Sequence, residues 1–284
     1  MTVQTILVTG GTGKTGRRIV QRLQDRDVAV RVGSRSATPA FDWQLDATWR
    51  PALDGVDAVY IAYQPDLAVP GATQIIQKFV DTAVQCGVKR LVLLSGRGEP
   101  EAQVCEKIVA DAGVEWTVIR ASFFNQNFSE GFLLEAIQRG EVILPIVTVR
   151  EPFIDVDDIA DIATVALTET GHHGEIYEVT GSRLLTFEDA INEIAQAIDK
   201  PIQYVSVPMA AYKDGMRQAG LDDNYLWLMD YLFTTVLDGR NAQLADGVQR
   251  AIGRDPRDFS DYVRQVAETG IWQASVPTMI EQNQ

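Results

Sequence analysis

The stretch "ILVTGGTGKTGRRIVQRL", residues 6–23, decides the fold. A β-rich run, "TILVTG" (5–10), ends in glycine, and "KTGRRIVQRLQD" (14–25) follows with Ile19, Val20 and Leu23 at helical spacing. The glycines between them fit two registers. A Walker A loop, G-x-x-x-x-G-K-[ST], could end on Gly13-Lys14-Thr15, but its first glycine would then fall on Val8, inside the strand. Such a loop also needs an acid after a second apolar strand to hold Mg²⁺. "DAVYIAY" (57–63) is followed by Gln64 and "RLVLLS" (90–95) by Gly96, so neither strand supplies one. The other register, Thr9-Gly10-x-x-Gly13-x-x-Gly16, lies where a strand turns into a helix. One glycine permits the tight turn, a second lets a pyrophosphate approach the backbone, and a third lets the helix pack on the sheet. The pyrophosphate then meets free N–H groups at the positive helix end. The loop therefore reads as a holder of a dinucleotide rather than a cleaver of a triphosphate.

The second strand, "VAVRVGS" (28–34), discriminates between cofactors. An acid about 20 residues past the glycines would bind the adenosine ribose of NAD. Here the strand runs out at Gly33-Ser34-Arg35 with no acid. Arg35 can grip a 2′-phosphate bidentately and Ser34 can donate a hydrogen bond, so NADP(H) is the expected cofactor, with NAD(H) as the alternative.

Strands and helices keep alternating: "FDW" (41–43) reads as a short third strand, then come "DAVYIAY", a helix over 72–87, "RLVLLSG" (90–96), a helix near 99–113 and "WTVIRAS" (116–122). Continuous Val/Ile/Leu strands separated by helices predict an α/β, Rossmann-like, doubly wound parallel sheet. Beyond residue 123 the pattern loosens to a helix at 126–139, "EVILPIV" (141–147), "FIDVDDIADIATVAL" (153–167) and "EIYEVTG" (175–181). Asp155, Asp157 and Asp158 read as caps of a helix starting near 158. Thr186 and Asp189 resemble a capping box, and 209–272 reads as mostly helical. The expected division is a dinucleotide-binding domain over 1–182 and a smaller, mostly helical lobe over 183–284 that binds substrate, with part of 123–150 also lining the pocket.

The 284 residues carry a net charge of −14, which argues against direct nucleic-acid binding. Residues 1–40 hold seven bases and two acids, so that segment is +5 and the remainder −19. Arg17, Arg18, Arg22 and Arg26 read either as a solvated helix face or as a positive field drawing in an anionic cofactor. No apolar run approaches the roughly 20 residues of a membrane span. The chain opens directly on a strand, and its two cysteines, Cys86 and Cys105, lie on separate helices; both features point to the cytoplasm. No Cys/His/acid cluster has ligand spacing, and the only histidines, His172 and His173, are adjacent, so no metal is expected.

The spacing TGxxGxxG resembles that of short-chain dehydrogenases/reductases. With "RLVLLSGRG", "WTVIRASFFNQNF" and "FIDVDDIADIA", the chain resembles their NmrA-like atypical branch over roughly residues 3–180. "GGTGKTG", "FDW…ATW" and "SGRGEPEA" look most like the ergot-alkaloid dehydrogenase type. The resemblance implies that Gly10, Thr12, Gly13, Lys14, Thr15 and Gly16 wrap the pyrophosphate. It implies that Asp42 and Trp43 touch adenine, Ala62 and Tyr63 border the ribose, Ser95 lies beside the nicotinamide, and Ser122 and Phe123 meet its amide.

Typical members use Tyr-x-x-x-Lys, with tyrosine as proton donor. Counting back from Lys107 puts Gln103 at the tyrosine position, and an amide cannot supply a proton near neutral pH. Lys107 is then left to hold the ribose and Ser95 to polarise substrate. Tyr63 and Glu101 are substitute donors, each read first as structural. Without a positioned acid, the expected substrates are small electrophiles that accept hydride readily, namely a quinone, an imine or iminium, or an enone. Tyr63, Phe124, Asn125 and Trp227 are the candidate pocket residues. The alternative is a catalytically weak redox sensor reading NADP(H) through a protein partner; a homodimer also stays open.

Overall fold

The structure is a computed structural model that describes residues 4–146 and 148–273. In chain order its elements begin β1 (Thr5–Thr9), α1 (Lys14–Gln24), β2 (Ala29–Gly33), α2 (Trp49–Leu53), β3 (Ala58–Ile61), α3 (Ala72–Gln85), β4 (Arg90–Gly96), α4 (Pro100–Ala110) and β5 (Glu115–Ala121). They continue with α5 (Leu134–Arg139), β6 (Glu141–Leu144), β7 (Arg150–Glu151), α6 (Val156–Thr168), β8 (Glu175–Val179), β9 (Leu185–Thr186), α7 (Phe187–Ala197) and β10 (Gln203–Ser206). The last are α8 (Met209–Gln218), α9 (Asp223–Tyr231), α10 (Gly247–Ile252) and α11 (Phe259–Glu268). The chain divides into two compact units. The first holds residues up to Ser122, Val156–Thr180 and Ala245–Pro256; the second holds Phe123–Asp155, Gly181–Leu244 and residues from Arg257 onward.

The first unit is a six-stranded parallel sheet in the order β2-β1-β3-β4-β5-β8. Its strands are apolar on both faces because helices cover both: α3 packs on α4, and α1 packs on α6. Leu91, Leu93 and Val118 meet Ile76, Phe79, Ala102, Cys105 and Val109 in one buried cluster. The order reverses between β1 and β3, and the crevice beyond the carboxyl ends of those strands is where an open α/β sheet binds ligands.

Two expectations about this unit are corrected. "FDW" is not a strand. Phe41 and Trp43 are drawn instead into an aromatic core with Trp49, Tyr63 and Phe79, with ring centroids 4.8–5.6 Å apart for the pairs of Phe79 with Phe41, Trp43 and Trp49. Burial of three large rings outweighs a three-residue ladder at the sheet edge. The arginines of α1 are not a free positive field either. Arg18 and Arg22 donate to Asp157 at 3.1 and 2.6 Å, Arg22 also to Asp161 at 2.6 Å, and Arg26 pairs with Glu169 at 3.0 Å. Helix α6 starts at Val156, two residues earlier than expected. Asp157 and Asp158 therefore sit inside its first turn and serve as ion-pair partners, Asp158 accepting from Arg254 at 2.6 Å.

The second unit has its own core of Phe128, Phe153, Phe187, Phe259, Tyr262 and Trp272. Its strands form two small ladders, β6 parallel to β10 and β7 antiparallel to β9. The capping box is present: Asp189 N–H donates to Thr186 Oγ1 at 3.0 Å, and Thr186 N–H donates to the Asp189 carboxylate at 2.9 Å. The helix expected over 126–139 is interrupted. Residues Asn125–Phe128 form a single 3-10 turn and α5 begins only at Leu134, with Gly131, a poor helix former, between them. The strand expected over 141–147 stops at Leu144 before Pro145, and residue 147 lies outside the described residues.

The chain passes between the units more often than a single cut after residue 182 would allow. Residues 123–155 belong to the second unit, while α10 returns to the first and lies against β8. It approaches so closely that a Cβ on Gly247 would collide with the Glu178 carbonyl. Phe79 is fully buried among three aromatic partners. Phe79→Ala should therefore cost about 3–5 kcal/mol, read as a fall in the urea midpoint; a loss below about 1 kcal/mol would show that the aromatic cluster does not hold the first unit together.

Candidate functional site

The glycine loop is built on Thr9. Its hydroxyl donates to the Tyr60 carbonyl and accepts from Ala62 N–H, both at 2.9 Å, which ties β1 to β3 at the point where the strand order reverses. The next residue, Gly10, adopts φ +60°, a left-handed conformation that favours glycine. Gly13 N–H donates to the Gly10 carbonyl at 2.8 Å and closes the turn. A Cβ on Gly16 would overlap that same carbonyl, so α1 can begin here only with glycine. Gly13, as the N-cap of α1, supplies no side-chain hydrogen bond to the first turn, and the start of the helix is the positive end that favours an anion. Thr12 is exposed and Lys14 half-buried at this opening. The Thr15 side chain is buried and accepts from the Tyr60 hydroxyl at 3.1 Å, so it braces the loop from behind rather than facing a phosphate.

At the end of β2, Ser34 contacts Ser36 at 3.3 Å, and Arg35 is exposed with no ion pair or side-chain hydrogen bond among the described residues. Asp42 and Trp43 are committed to the fold. The Asp42 carboxylate accepts from Gln44 N–H, its carbonyl accepts from the Trp49 indole, and the Trp43 indole donates to the Ala62 carbonyl at 3.1 Å. Tyr63 packs its ring against Trp43 with centroids 5.2 Å apart.

Further along the strand ends, Ser95 donates to Glu106 at 2.6 Å. Arg120 donates to the same carboxylate and to Glu178 at 2.7 Å, and Arg97 pairs with Glu178 at 3.5 Å. Glu106, and after it Glu178, hold the Arg120 guanidinium more firmly charged than usual, against the opposing effect of its partial burial. The Ser95 proton is thus directed into a carboxylate network. The Ser122 hydroxyl, 4% exposed at the end of β5, has no partner among the described residues. An orphan of this kind marks the place of a missing polar atom.

Lys107 is not brought to this end of the sheet. Its ammonium pairs with Asp111 at 2.6 Å and lines a shallow surface groove between α3 and α4. Helix periodicity is the cause. Ala102, Cys105 and Val109 turn into the core, which forces Gln103 and Lys107 outward and turns Glu106 inward. The Tyr-x-x-x-Lys count therefore lands on a solvent face. The sequence reading missed Glu106, next to inward-facing Cys105, although that same spacing would have marked it as buried.

It also missed Asp66 and Glu99. Glu99 is 8% exposed and hydrogen-bonded to Asp66, which accepts from Ala68 N–H at 2.7 Å. Burial, followed by the charges of Asp66 and Glu101, pushes the Glu99 carboxyl up to about 9, and burial raises Asp66 as well. The remaining candidates lie in the second unit. Phe123 packs on Phe128, Phe132, Phe153 and Phe187, and Trp227 is 39% exposed and stacked on Tyr231. Phe124 bridges by its backbone to Ile154. Asn125 is fully buried, and neither polar atom of its amide has a partner among the described residues.

A glycine loop with these contacts, at the reversal point of a parallel sheet, defines a dinucleotide-binding Rossmann protein. Residues 10–170 match the family model described as NAD(P)H-binding. Agroclavine dehydrogenase of Claviceps fusiformis is 31% identical over 91% of this chain and 96% of its own length. Among solved structures, the NADPH-dependent quinone oxidoreductase of Escherichia coli complexed with NADPH superposes with a TM-score of 0.77, at 20% identity over 92% of this chain and 99% of that one. NmrA, a negative transcriptional regulator in complex with NAD, gives 0.72 at 15% identity over 96% of this chain and 100% of that one. The chain belongs to the NAD(P)H-binding family, together with agroclavine dehydrogenase, and shares its fold with NmrA.

The Glu99 carboxyl has a consequence for stability. Between its ordinary value of 4.5 and about 9, the folded protein keeps a proton that the unfolded chain releases. The folded state then binds more protons, so stability falls as pH rises across that window. Glu99→Gln removes the dependence: its melting temperature should gain on that of the wild type between about pH 5 and about pH 8. Parallel curves for the two proteins in calorimetry would contradict the assignment.

Proposed function

We propose that this protein binds NADP(H) in preference to NAD(H) and passes hydride from it to a small electrophile such as a quinone, an imine or iminium, or an enone. The observation that carries the cofactor choice is Arg35, an exposed cation with no partner among the described residues at the end of β2, where a typical NAD site carries an acid. Gly10, Gly13 and Gly16 let the backbone approach the pyrophosphate, the N-terminal end of α1 receives it, and Thr12 and Lys14 flank it. Arg35, with Ser34, grips the 2′-phosphate of the adenosine ribose. Ala62 presents only its Cβ to the crevice, since its N–H and carbonyl are both taken. The bound cofactor supplies the hydride.

The catalytic assignment of the Ser95/Lys107 pair narrows to Ser95. Lys107 is 75% exposed and paired with Asp111. Ser95 is buried, and its hydroxyl is oriented by Glu106, itself gripped by Arg120. With its proton given to Glu106, the Ser95 oxygen can only accept, so it is proposed to position an N–H or O–H donor of the substrate, such as an iminium N–H, rather than to polarise a carbonyl. The relatives support the reaction class: one is named agroclavine dehydrogenase and one neighbour is an NADPH-dependent quinone oxidoreductase.

Calorimetry tests the cofactor reading. A charge-assisted bidentate contact is worth about 1.5–3 kcal/mol, so NADPH should bind roughly ten- to a hundredfold more tightly than NADH. Arg35→Ala should erase most of that difference. Equal affinities in the wild type would refute it. Oxidation of NADPH with at least one member of a quinone, imine and enone panel is the expected catalytic result. A silent panel, together with cofactor-dependent capture of a protein partner, would favour a redox sensor instead.

A further inference from the structure

The usual tyrosine position faces water as Gln103, yet quinone and imine reductions need a proton as well as a hydride. We propose that the Asp66–Glu99 carboxyl pair, on the loops that leave β3 and β4, is the proton source of the reduction, with Glu99 as the catalytic acid. The inference rests on the reductase reading above.

Position is the first argument. β3 and β4 are neighbours in the sheet, and both loops open beyond their carboxyl ends, on the side where the fold binds its ligand. Glu99 follows Gly96, the last residue of β4, by three positions, and its carboxyl group folds back to occupy the space that a Cβ on Gly96 would take. The acid is therefore held against the strand end, next to Ser95, rather than reaching into solvent.

Charge is the second. Two carboxyls in hydrogen-bond contact cannot both ionise, and the pair keeps one proton. The groups facing Glu99 deepen the effect: Asp66 on the β3 loop and Glu101 and Glu106 on α4 are all acids, and Cys105 on α4 faces Asp66. Arg97 and Arg120 at this end of the sheet are paired with Glu106 and Glu178. Asp66 already accepts Ala68 N–H, so it is the natural acceptor of the pair, and Glu99 O–H is the donor.

The third observation is independent of the acids. Ala121 stands opposite Gly96 in the sheet, its carbonyl accepts Arg97 N–H at 2.9 Å, and the next residue is Ser122, whose buried hydroxyl has no partner among the described residues. A polar group of a ligand is thus called for one strand away from the carboxyl pair.

The chemistry balances simply. The acceptor takes a hydride from the reduced nicotinamide, so one C–H bond breaks and one bond to hydrogen forms on the acceptor. The acceptor's π electrons move onto its oxygen or nitrogen. The Glu99 O–H bond breaks as its proton goes to that atom, and water restores the proton afterwards. A permanently cationic acceptor needs only the hydride, because its product is neutral.

That difference makes the test. NADPH-dependent turnover is measured with a benzoquinone and with a cationic triarylmethane dye. In Glu99→Gln the ratio of quinone to dye turnover should fall at least tenfold, and the quinone reaction should lose the decline that the wild type shows as pH rises through about 9. Asp66→Asn should move that decline to lower pH. Infrared difference spectra of the wild-type protein should show the C=O stretch of a protonated carboxyl at neutral pH, absent in Glu99→Gln. An unchanged turnover ratio, or no such band at neutral pH, would overturn the proton source while leaving the reductase reading intact. A wild type inactive with both acceptors would overturn both.

Discussion

The close approach of α1 to the Gly10 carbonyl sets the rest of the site. At Gly16 no side chain fits between helix and loop, so the first turn of α1 is pressed onto the end of β1. Thr9 then holds β1 to β3 through its hydroxyl, and the Tyr60 hydroxyl reaches Thr15 from the neighbouring strand. The consequence is a row of backbone N–H groups, preceded by a glycine N-cap with no side chain of its own, at the positive end of a helix of 11 residues. Everything proposed downstream, from the hold on the pyrophosphate to the placement of the strand ends, depends on that geometry.

The parallel sheet was legible because its strands are covered on both faces and so read as continuous apolar runs. "FDW" misled for a related reason. Three residues carry no usable alternation, and aromatic side chains suit a strand and a core plug equally well. Trp43 is settled by partners far along the chain, Ala62 and Phe79. The arginines of α1 were ambiguous on the same ground. Their acids lie on α6 and just past its end, 139 positions further on in the Arg18–Asp157 pair, and no local pattern announces a contact at that range.

Helix α4 carries the clearest lesson about the site. A spacing borrowed from a family, lysine minus four, selected Gln103 and Lys107, but the helix's own apolar stripe of Ala102, Cys105 and Val109 turns both outward. The stripe is a statement about burial, and burial decides which charged groups can do chemistry. On the inward side it leaves Glu106, locked to Arg120, and at the helix start Glu99, locked to Asp66. One carboxyl is compensated by a cation and the other by a proton, so two glutamates seven residues apart are suited to different work.

The central claim is that the Gly10–Gly16 turn holds the pyrophosphate of NADP(H). A crystal structure of the protein with NADPH measures it most directly. The account predicts pyrophosphate oxygens within hydrogen-bond distance of backbone N–H groups of that turn, with the 2′-phosphate against Arg35. A cofactor seated elsewhere, or a pyrophosphate held by side chains with the turn's N–H groups unused, would contradict it.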